Sequence, residues 1–470
     1  MAIKNTIKAD VAVIGAGPGG YVAAIRLAQL GKKVALIDKD NLGGICLNCG
    51  CIPSKALIYA SELFGKIKEA EAMGIKADSV SMDFARMQEW KNGIISNLAN
   101  GISFLCKQNN IEVVKGLAVF ESSNKLKIDG NEEVFYVEFE KAIIAVGSKP
   151  TELPNFKFDG KQIISSTEAL SLEKIPENLV VVGGGYIGLE LGTVYAKLGT
   201  KVFVVEMADQ LLPGFDKSIV MVLERNLNDM GVEIYLNAKA EKFDNGKVIV
   251  DSKEKGKVSL DADNVLVAVG RAPIAKELKL ENTKVKLDEK GFVKVDKSLM
   301  TTDKNIYAIG DVSEGPMLAH KASAQGKFVA ELIAGEKVHY DRMIVPSVIF
   351  TDPEIAAVGL SEKEADEEGI KVKTGKYPFS ASGRAMTKNK TEGFVKVIAN
   401  SKDDKIIGVE IVGSDASDLI SEAALAIRLG ATLEDVALTI HPHPTLSEGL
   451  MEAAEAAMGK AIHIFNVKKE

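Results

Sequence analysis

The sequence predicts an α/β protein that uses one βαβ unit twice, and three observations predict it. A glycine-rich phrase, Gly15-Ala-Gly17-Pro-Gly-Gly20, follows the short apolar run Asp10 to Ile14, and Gly183-Gly-Gly185-Tyr-Ile-Gly188 follows the run Leu179 to Val182. In both copies an acid, Asp38 or Glu206, lies 23 positions after the first glycine, and a glycine that reads as a helix stop, Gly31 or Gly199, lies 16 after it. At 470 residues the chain exceeds what one hydrophobic core supports and suggests about three domains.

Taken in order, each unit reads as strand, turn, helix, stop and second strand. The first glycine, Gly15 or Gly183, makes the tight turn; the second, Gly17 or Gly185, lets backbone approach a pyrophosphate; the third, Gly20 or Gly188, lets helix pack on strand. A pyrophosphate then sits on the helix N-terminus. The acid ending the second strand, Asp38 or Glu206, accepts hydrogen bonds from ribose hydroxyls. A lone GxGxxG is weak evidence, but here every part stands in register twice. The units are therefore expected to be Rossmann-like dinucleotide-binding domains. Two further phrases echo each other, Ala145-Val-Gly147-Ser-Lys-Pro150 and Ala268-Val-Gly270-Arg-Ala-Pro273, and each reads as the return strand closing its domain. The interval from first glycine to this phrase is 130 in the first copy and 85 in the second, so the first carries an insertion that includes a cysteine-rich segment and a long helical stretch through Trp90.

That segment is Gly43-Gly-Ile-Cys46-Leu-Asn-Cys49-Gly-Cys51-Ile-Pro-Ser-Lys55, and it holds three of the chain's four cysteines. A CxxxxC pair in a cytosolic protein is more plausibly redox-active than structural. On a regular helix, residues five apart lie beyond the roughly 4.4–6.8 Å between Cα atoms that a disulfide needs. A Cys46–Cys51 pair therefore requires a distorted helix start, which Gly50 permits, and a helix N-terminus makes a thiolate available. Cys46 and Cys49 also form a CxxC, but a structural zinc needs four ligands and no histidine is near, so no metal is expected.

Composition limits the rest. Hydrophobic content of 46% and charged content of 26% are those of an ordinary globular protein. With a net charge of −7 and dispersed basic residues, neither nucleic acid nor anionic lipid is expected as a partner. Apolar runs such as Ala142 to Val146 are too short to span a membrane. Strand-like sequence begins by Val11, leaving no room for a signal peptide, so a cytoplasmic location is expected.

The pattern GGxCxNxGCxPSK after a first GxGxxG resembles the active-site signature of the pyridine nucleotide-disulphide oxidoreductase family. The similarity runs along essentially the whole chain. Thr302 to Asp311 resembles the family's second FAD motif, and Pro346 to Gly359 the start of its interface domain. Met317-Leu-Ala-His320-Lys-Ala322 and Gly459-Lys-Ala-Ile-His463-Ile resemble the members that oxidise dihydrolipoamide. The resemblance implies FAD-binding domain at 1–150, NAD-binding domain at 151–273, a return to the FAD domain at 274–346, and an α+β interface domain at 347–470. It implies a redox disulfide between Cys46 and Cys51, a ribityl contact from Asp311, cofactor contacts from Gly147, Gly270 and Ala319, a Lys55–Glu190 ion pair near flavin and nicotinamide, and Tyr186 shielding the nicotinamide pocket. Ile45, Cys49, Asp38 and Gln325 depart from the residues usual in the family, and Cys49 matters most, because a third thiol could trap a non-productive disulfide.

His441-Pro-His443-Pro-Thr445-Leu-Ser-Glu448 resembles the family's HPTxSE motif, which makes His443 the acid/base and Glu448 the carboxylate orienting it. A histidine titrating near neutrality can take a proton from an attacking dithiol. Thr445-x-x-Glu448 also reads as a capping box opening the next helix, and Pro444 is a candidate for a cis peptide. His441 reads as a neighbour, and His320, His339 and His463 carry no comparable case. The implied reaction oxidises a protein-bound dihydrolipoyl group through the disulfide and FAD and passes hydride to NAD⁺. The lipoyl group would come on a partner, a lipoyl-bearing protein of a 2-oxo acid dehydrogenase or glycine cleavage complex. A homodimer is expected, with His443 reaching the other chain's disulfide, and the alanine-rich stretches Glu422 to Leu429 and Glu452 to Met458 would suit close helix packing there. Three other readings compete. A reductase for glutathione is opposed by Glu206-Met-Ala-Asp209, where NADPH users place Arg. A flavin transhydrogenase or quinone reductase would ignore the cysteines. A purely docking subunit would leave complete catalytic motifs unused.

Overall fold

A computed structural model describes residues 5–77, 79–130, 133–338 and 344–466; His339 lies outside the described residues. The first sheet runs Glu112–Lys115, Val34–Asp38, Asn5–Ile14, Val134–Ile144, Lys125–Asp129, Leu117–Ser122, with Ile306–Ala308 pairing in parallel beside Val134–Ile144. Its central strand Asn5–Ile14 reads nearly continuously apolar from Val11, because both faces are covered. The helix Pro18–Gln29 ends just before Gly31, whose φ of 81° reverses the chain into Val34–Asp38, as the stop signal requires. The second copy repeats this, with Asn178–Val182, the helix Tyr186–Lys197, Gly199 at φ 100° and Lys201–Val205 in an all-parallel sheet.

The echoing phrases differ from expectation. The return strands proper are Val134–Ile144 and Asn264–Val267, and each phrase begins where its strand ends. Gly147 and Gly270 adopt φ of 75° and 127°, which turns the chain out of the two sheets. The last three residues of the phrases, Ser148–Pro150 and Arg271–Pro273, then pair antiparallel with each other.

A five-stranded antiparallel sheet follows, in the order Ser347–Ile349, Glu354–Gly359, Ile406–Gly413, Phe394–Asn400, Val372–Pro378. The helices Ala416–Leu429 and Glu448–Ala457 cover it. Ala423, Ala453 and Ala454 are buried within the chain against this sheet. What the same region turns outward is apolar and larger, namely Leu425, Leu429, Leu438 and Ile440.

Candidate functional site

The two glycine turns match atom for atom. Ala16 N–H donates to Asp38 Oδ2 at 2.5 Å and Asp40 N–H to Oδ1 at 2.8 Å. Gly184 N–H donates to Glu206 Oε2 at 2.6 Å and Ala208 N–H to Oε1 at 2.7 Å. The acid at the strand end is thus fixed by the residue after the first glycine and by the residue two positions on. Burial pushes the Asp38 carboxyl up, against the pull of those two amides. A Cβ on Gly15 would lie 2.3 Å from Ala145 O, and one on Gly20 would lie 1.8 Å from Gly15 O. The corresponding approaches are 2.6 Å for Gly183 to Ala268 O and 2.8 Å for Gly188 to Gly183 O. A Cβ on Gly17 would meet nothing within 4 Å, so this glycine leaves its side of the turn open to a ligand.

A cavity of about 630 Å³ runs from the first turn and Asp38 to the cysteines, with Gly147, Asp311, Ala319, Tyr186, Lys55 and Glu190 on its walls. That size and shape suit a dinucleotide. Its polar wall is organised by Ser148, whose hydroxyl donates to Asp311 Oδ2 at 2.7 Å and accepts from Arg271 Nε at 2.7 Å. Ser148 and Arg271 stand inside the two echoing phrases but were not singled out; only the pairing of those phrases in space joins them. Gln325, a departure from the family pattern, accepts the Gly310 amide at 2.7 Å beside Asp311.

Cys46 and Cys51 are joined in a disulfide with Cα atoms 4.7 Å apart. The helices Gly44–Cys49 and Cys51–Glu69 are separate, broken at Gly50. A Cβ on Gly50 would come 2.9 Å from Ile45 O and 3.2 Å from Cys46 Cα, so glycine is what allows the two cysteines to approach. Gly44, at φ 59°, leaves no more than 2.6 Å between a would-be Cβ and Gly17 Cα, so the cysteine loop leans directly on the nucleotide turn. Cys49 is a free thiol, half-buried; burial pushes it up while a hydrogen bond with Thr167 acts the other way. Lys55 Nζ meets Glu190 Oε2 at 2.8 Å and lies 4.3 Å from the centre of the Phe350 ring. Glu190 is buried and its other oxygen takes the Phe350 N–H at 2.9 Å.

Of the second unit's predicted residues, Tyr186 and Glu190 reach this cavity, whereas Gly183, Gly185, Gly188, Glu206 and Gly270 are not on its walls. Among the described residues no group of three or more His, Cys, Asp or Glu is placed to hold a metal ion. No helix among them is long and apolar enough to cross a membrane.

His443 also lies away from the cavity. Its Nδ1 meets Glu448 Oε1 at 2.9 Å, its side chain is 79% exposed, and the His443–Pro444 peptide is cis. Glu448 Oε2 takes the Thr445 N–H at 2.8 Å. Burial disfavours charge on Glu448, but the Thr445 amide and the His443 ring hold it below the usual carboxylate range. The expected capping box is half formed. The helix starts at Glu448 with Ser447 at its N-cap, so the Thr445 hydroxyl donates to Pro442 O instead. His441 is pinned between Glu422 at 2.7 Å and Thr439 O at 2.8 Å.

Residues 9–326 match the pyridine nucleotide-disulphide oxidoreductase domain, and residues 345–454 match the dimerisation domain of the same enzymes. The chain is 50% identical to dihydrolipoyl dehydrogenase of Geobacillus stearothermophilus, over 97% of this chain and 98% of that one. It is 47% identical to dihydrolipoyl dehydrogenase of Haloferax volcanii over the same shares. Among solved structures, LpdA from Mycobacterium tuberculosis superposes with a TM-score of 0.88 at 27% identity, covering 96% of this chain and 99% of that one. The HOCl-induced flavoprotein disulfide reductase RclA from Escherichia coli superposes with a TM-score of 0.84 at 30% identity, covering 95% and 99%. With both domains matched and half its residues shared with such relatives over nearly its full length, the chain belongs to the pyridine nucleotide-disulphide oxidoreductase family.

Proposed function

We propose that the chain is a dihydrolipoyl dehydrogenase, oxidising a protein-bound dihydrolipoyl group at the expense of NAD⁺. The observation that carries this reading is the Cys46–Cys51 disulfide in the wall of the cavity that begins at the first glycine turn. FAD and NAD are the cofactors that family membership brings. Gly15, Gly17, Asp38, Gly147, Asp311 and Ala319, on the cavity wall, would hold FAD, with Lys55 at its reactive end and with Gly20, off the wall, packing the helix against the turn. Gly183, Gly185, Gly188, Glu206 and Gly270 would hold NAD, with Tyr186 and Glu190 at its nicotinamide. Bound FAD supplies a two-electron carrier between dithiol and nicotinamide. The division at 150, 273 and 346 belongs to the same reading, supported by Ile306–Ala308 rejoining the first sheet after the second is complete.

The protein's own part is thiol–disulfide exchange. One thiol of the substrate attacks Cys46, a mixed disulfide forms, and Cys51 leaves as a thiolate at the N-terminus of its helix. The other substrate thiol then displaces Cys46, so the substrate leaves as a disulfide and both cysteines are reduced. His443 accepts the proton at Nε2, the nitrogen opposite the one that Glu448 holds. Because His443 is exposed and away from its own chain's cavity, a homodimer in which each chain supplies the histidine for the other's disulfide completes the site. The matched dimerisation domain and the outward-facing Leu429, Leu438 and Ile440 support this assembly. A lipoyl-bearing protein of a 2-oxo acid dehydrogenase or glycine cleavage complex would present the substrate.

The test is anaerobic titration of the flavoprotein with dihydrolipoamide, then with NADH, alongside turnover with NAD⁺. Dihydrolipoamide should raise a long-wavelength thiolate–flavin absorbance and support turnover that thiol alkylation of the reduced enzyme abolishes. Full turnover after alkylation, or no response to dihydrolipoamide, overturns the reading.

A further inference from the structure

Besides His443–Glu448 and His441–Glu422, a third histidine–carboxylate pair stands on the helix that carries Glu448. Glu448 and Glu452 are four residues apart on the helix Glu448–Ala457 and so share one of its faces. The helix ends at Ala457 with Met458 as its C-cap, and Gly459, at φ 70°, turns the chain back. That return brings His463 Nδ1 to 2.5 Å from Glu452 Oε1. The two partners differ in surroundings: the Glu452 side chain is 4% exposed and that of His463 is 66% exposed. A buried carboxylate with one oxygen held by histidine and the other, Oε2, taking no hydrogen bond among the described residues is a charge in need of a cation. His463 is the cation at hand, and its bond to Glu452 raises its affinity for a proton above the ordinary histidine range. Its charge is also among those that favour ionised Glu448.

We propose that His463 and Glu452 form a positioning pair that tunes the acid/base pair His443–Glu448 one helical turn away. Glu448 holds the working histidine, and Glu452, on the same face, would add a second negative charge beside it. His463 cancels that charge, so the working histidine faces one carboxylate rather than two. The inference rests on the proposed dihydrolipoyl dehydrogenase reading, which gives His443 its task.

The other titratable groups around this face are accounted for. Glu455 lies on the same helix and burial pushes its carboxyl up. Tyr377, on Val372–Pro378, is pushed up to about 12 by burial and by Glu452 and Glu448, so it stays neutral. Lys373 on that strand pairs with Asp404, and Lys376 lies over Phe394. Lys396, on Phe394–Asn400, is held by Asp216, Glu362 and Glu410. On the packed helix Leu433–Ala437, Asp435 is engaged by Thr432, and Glu434 is its neighbour. Among the described residues, His463 is the cation that meets Glu452.

The experiment measures pH profiles of kcat/KM for dihydrolipoamide oxidation in the holoenzyme dimer, for wild type, His463→Gln and Glu452→Gln. Removing the cation should move the acid limb up by roughly 0.3–0.5 pH unit, the size a solvent-screened unit charge gives at this range. Removing the carboxylate should move the limb down, because the released His463 is still cationic at acid pH. In parallel, ¹³C-labelled histidine NMR should show the His463 titration falling back towards the ordinary range in Glu452→Gln and the His443 titration moving with the limb. Loss of activity with an unmoved limb in both variants, or shifts of the same sign, overturns the proposal. Should Glu452→Gln fail to fold, His463→Gln decides alone, since its side chain is largely exposed. A wild type that does not oxidise dihydrolipoamide would instead refute the parent reading, while the NMR comparison still tests the pair.

Discussion

Glu206 offers the sharpest test of how the second unit chooses its nucleotide. Its carboxylate is clamped, with Oε2 on the Gly184 amide at 2.6 Å and Oε1 on the Ala208 amide at 2.7 Å, so it cannot swing aside for an incoming 2′-phosphate. Two unit charges about 4 Å apart at an effective dielectric near 20 repel by about 4 kcal/mol, and solvent at this half-buried position lowers that to about 2–4 kcal/mol. The expected preference for NADH over NADPH is therefore roughly 30- to 1000-fold in kcat/KM. Glu206→Gln should shrink that preference from both sides. It removes the repulsion, and its NH₂ group turns a donor towards one of the two amides, leaving that amide unsatisfied and the turn less ordered. Steady-state kinetics with both nucleotides, in wild type and variant, measures each part. Equal kcat/KM for NADH and NADPH in the wild type would refute the reasoning, and so would an unchanged ratio in the variant.

Cys46→Ser should show long-wavelength absorbance without any reductant, because Cys51 stays a thiolate beside the flavin; Cys51→Ser should lack the band, and both should lose dithiol turnover. If Cys49→Ser alone is inactive, the pairing is misassigned. Mixing inactive Cys46→Ser with inactive His443→Ala under conditions that exchange subunits should restore one wild-type site in each heterodimer, and proven exchange without activity would mean that each chain uses its own histidine. Asp216→Asn should lower the thermal midpoint most above pH 4, with the gap closing towards pH 2. In the fold, Lys396 and the Ser218 amide overcome the effect of burial and hold the Asp216 carboxyl down at about 2, against about 3.9 unfolded. Such a depressed carboxyl stabilises above the unfolded value and loses that contribution as pH falls through the folded one. A gap independent of pH would show that Asp216 contributes nothing through its charge.

What could be read from the chain depended on how local the signal was. The glycine turns, their acids and the helix stops are encoded within about two dozen residues, and each landed where spacing put it. The break at Gly50 was legible because disulfide reach is a fixed length. The three-residue pairing of Ser148–Pro150 with Arg271–Pro273 joins segments more than a hundred residues apart, and repetition of a phrase does not say that its copies touch. Thr445-x-x-Glu448 satisfies the capping-box pattern, and the Glu448 carboxylate does take the Thr445 amide, yet the helix starts only at Glu448, because the Thr445 hydroxyl turns to Pro442 O instead of capping. The clamp around Lys396, which ties Asp216 to Glu362 and Glu410, gathers charges from separate elements and has no counterpart in any short pattern.

The pairing of those two short strands has a consequence for how the molecule is put together. Thr151 N–H donates to Gly270 O at 3.0 Å and Ile274 N–H to Gly147 O at 3.1 Å, so the chain leaves the first unit and returns to it through a single zipped gate. Everything between positions 151 and 270 is a cassette whose two ends are already neighbours. A cassette of this kind can be acquired, lost or exchanged without re-threading its host, because the zipped pair holds the two ends together and Ile306–Ala308 rejoins Val134–Ile144 in the host sheet whatever the cassette contains. The duplicated turn then reads as the mark of a module inserted into a host built on the same turn.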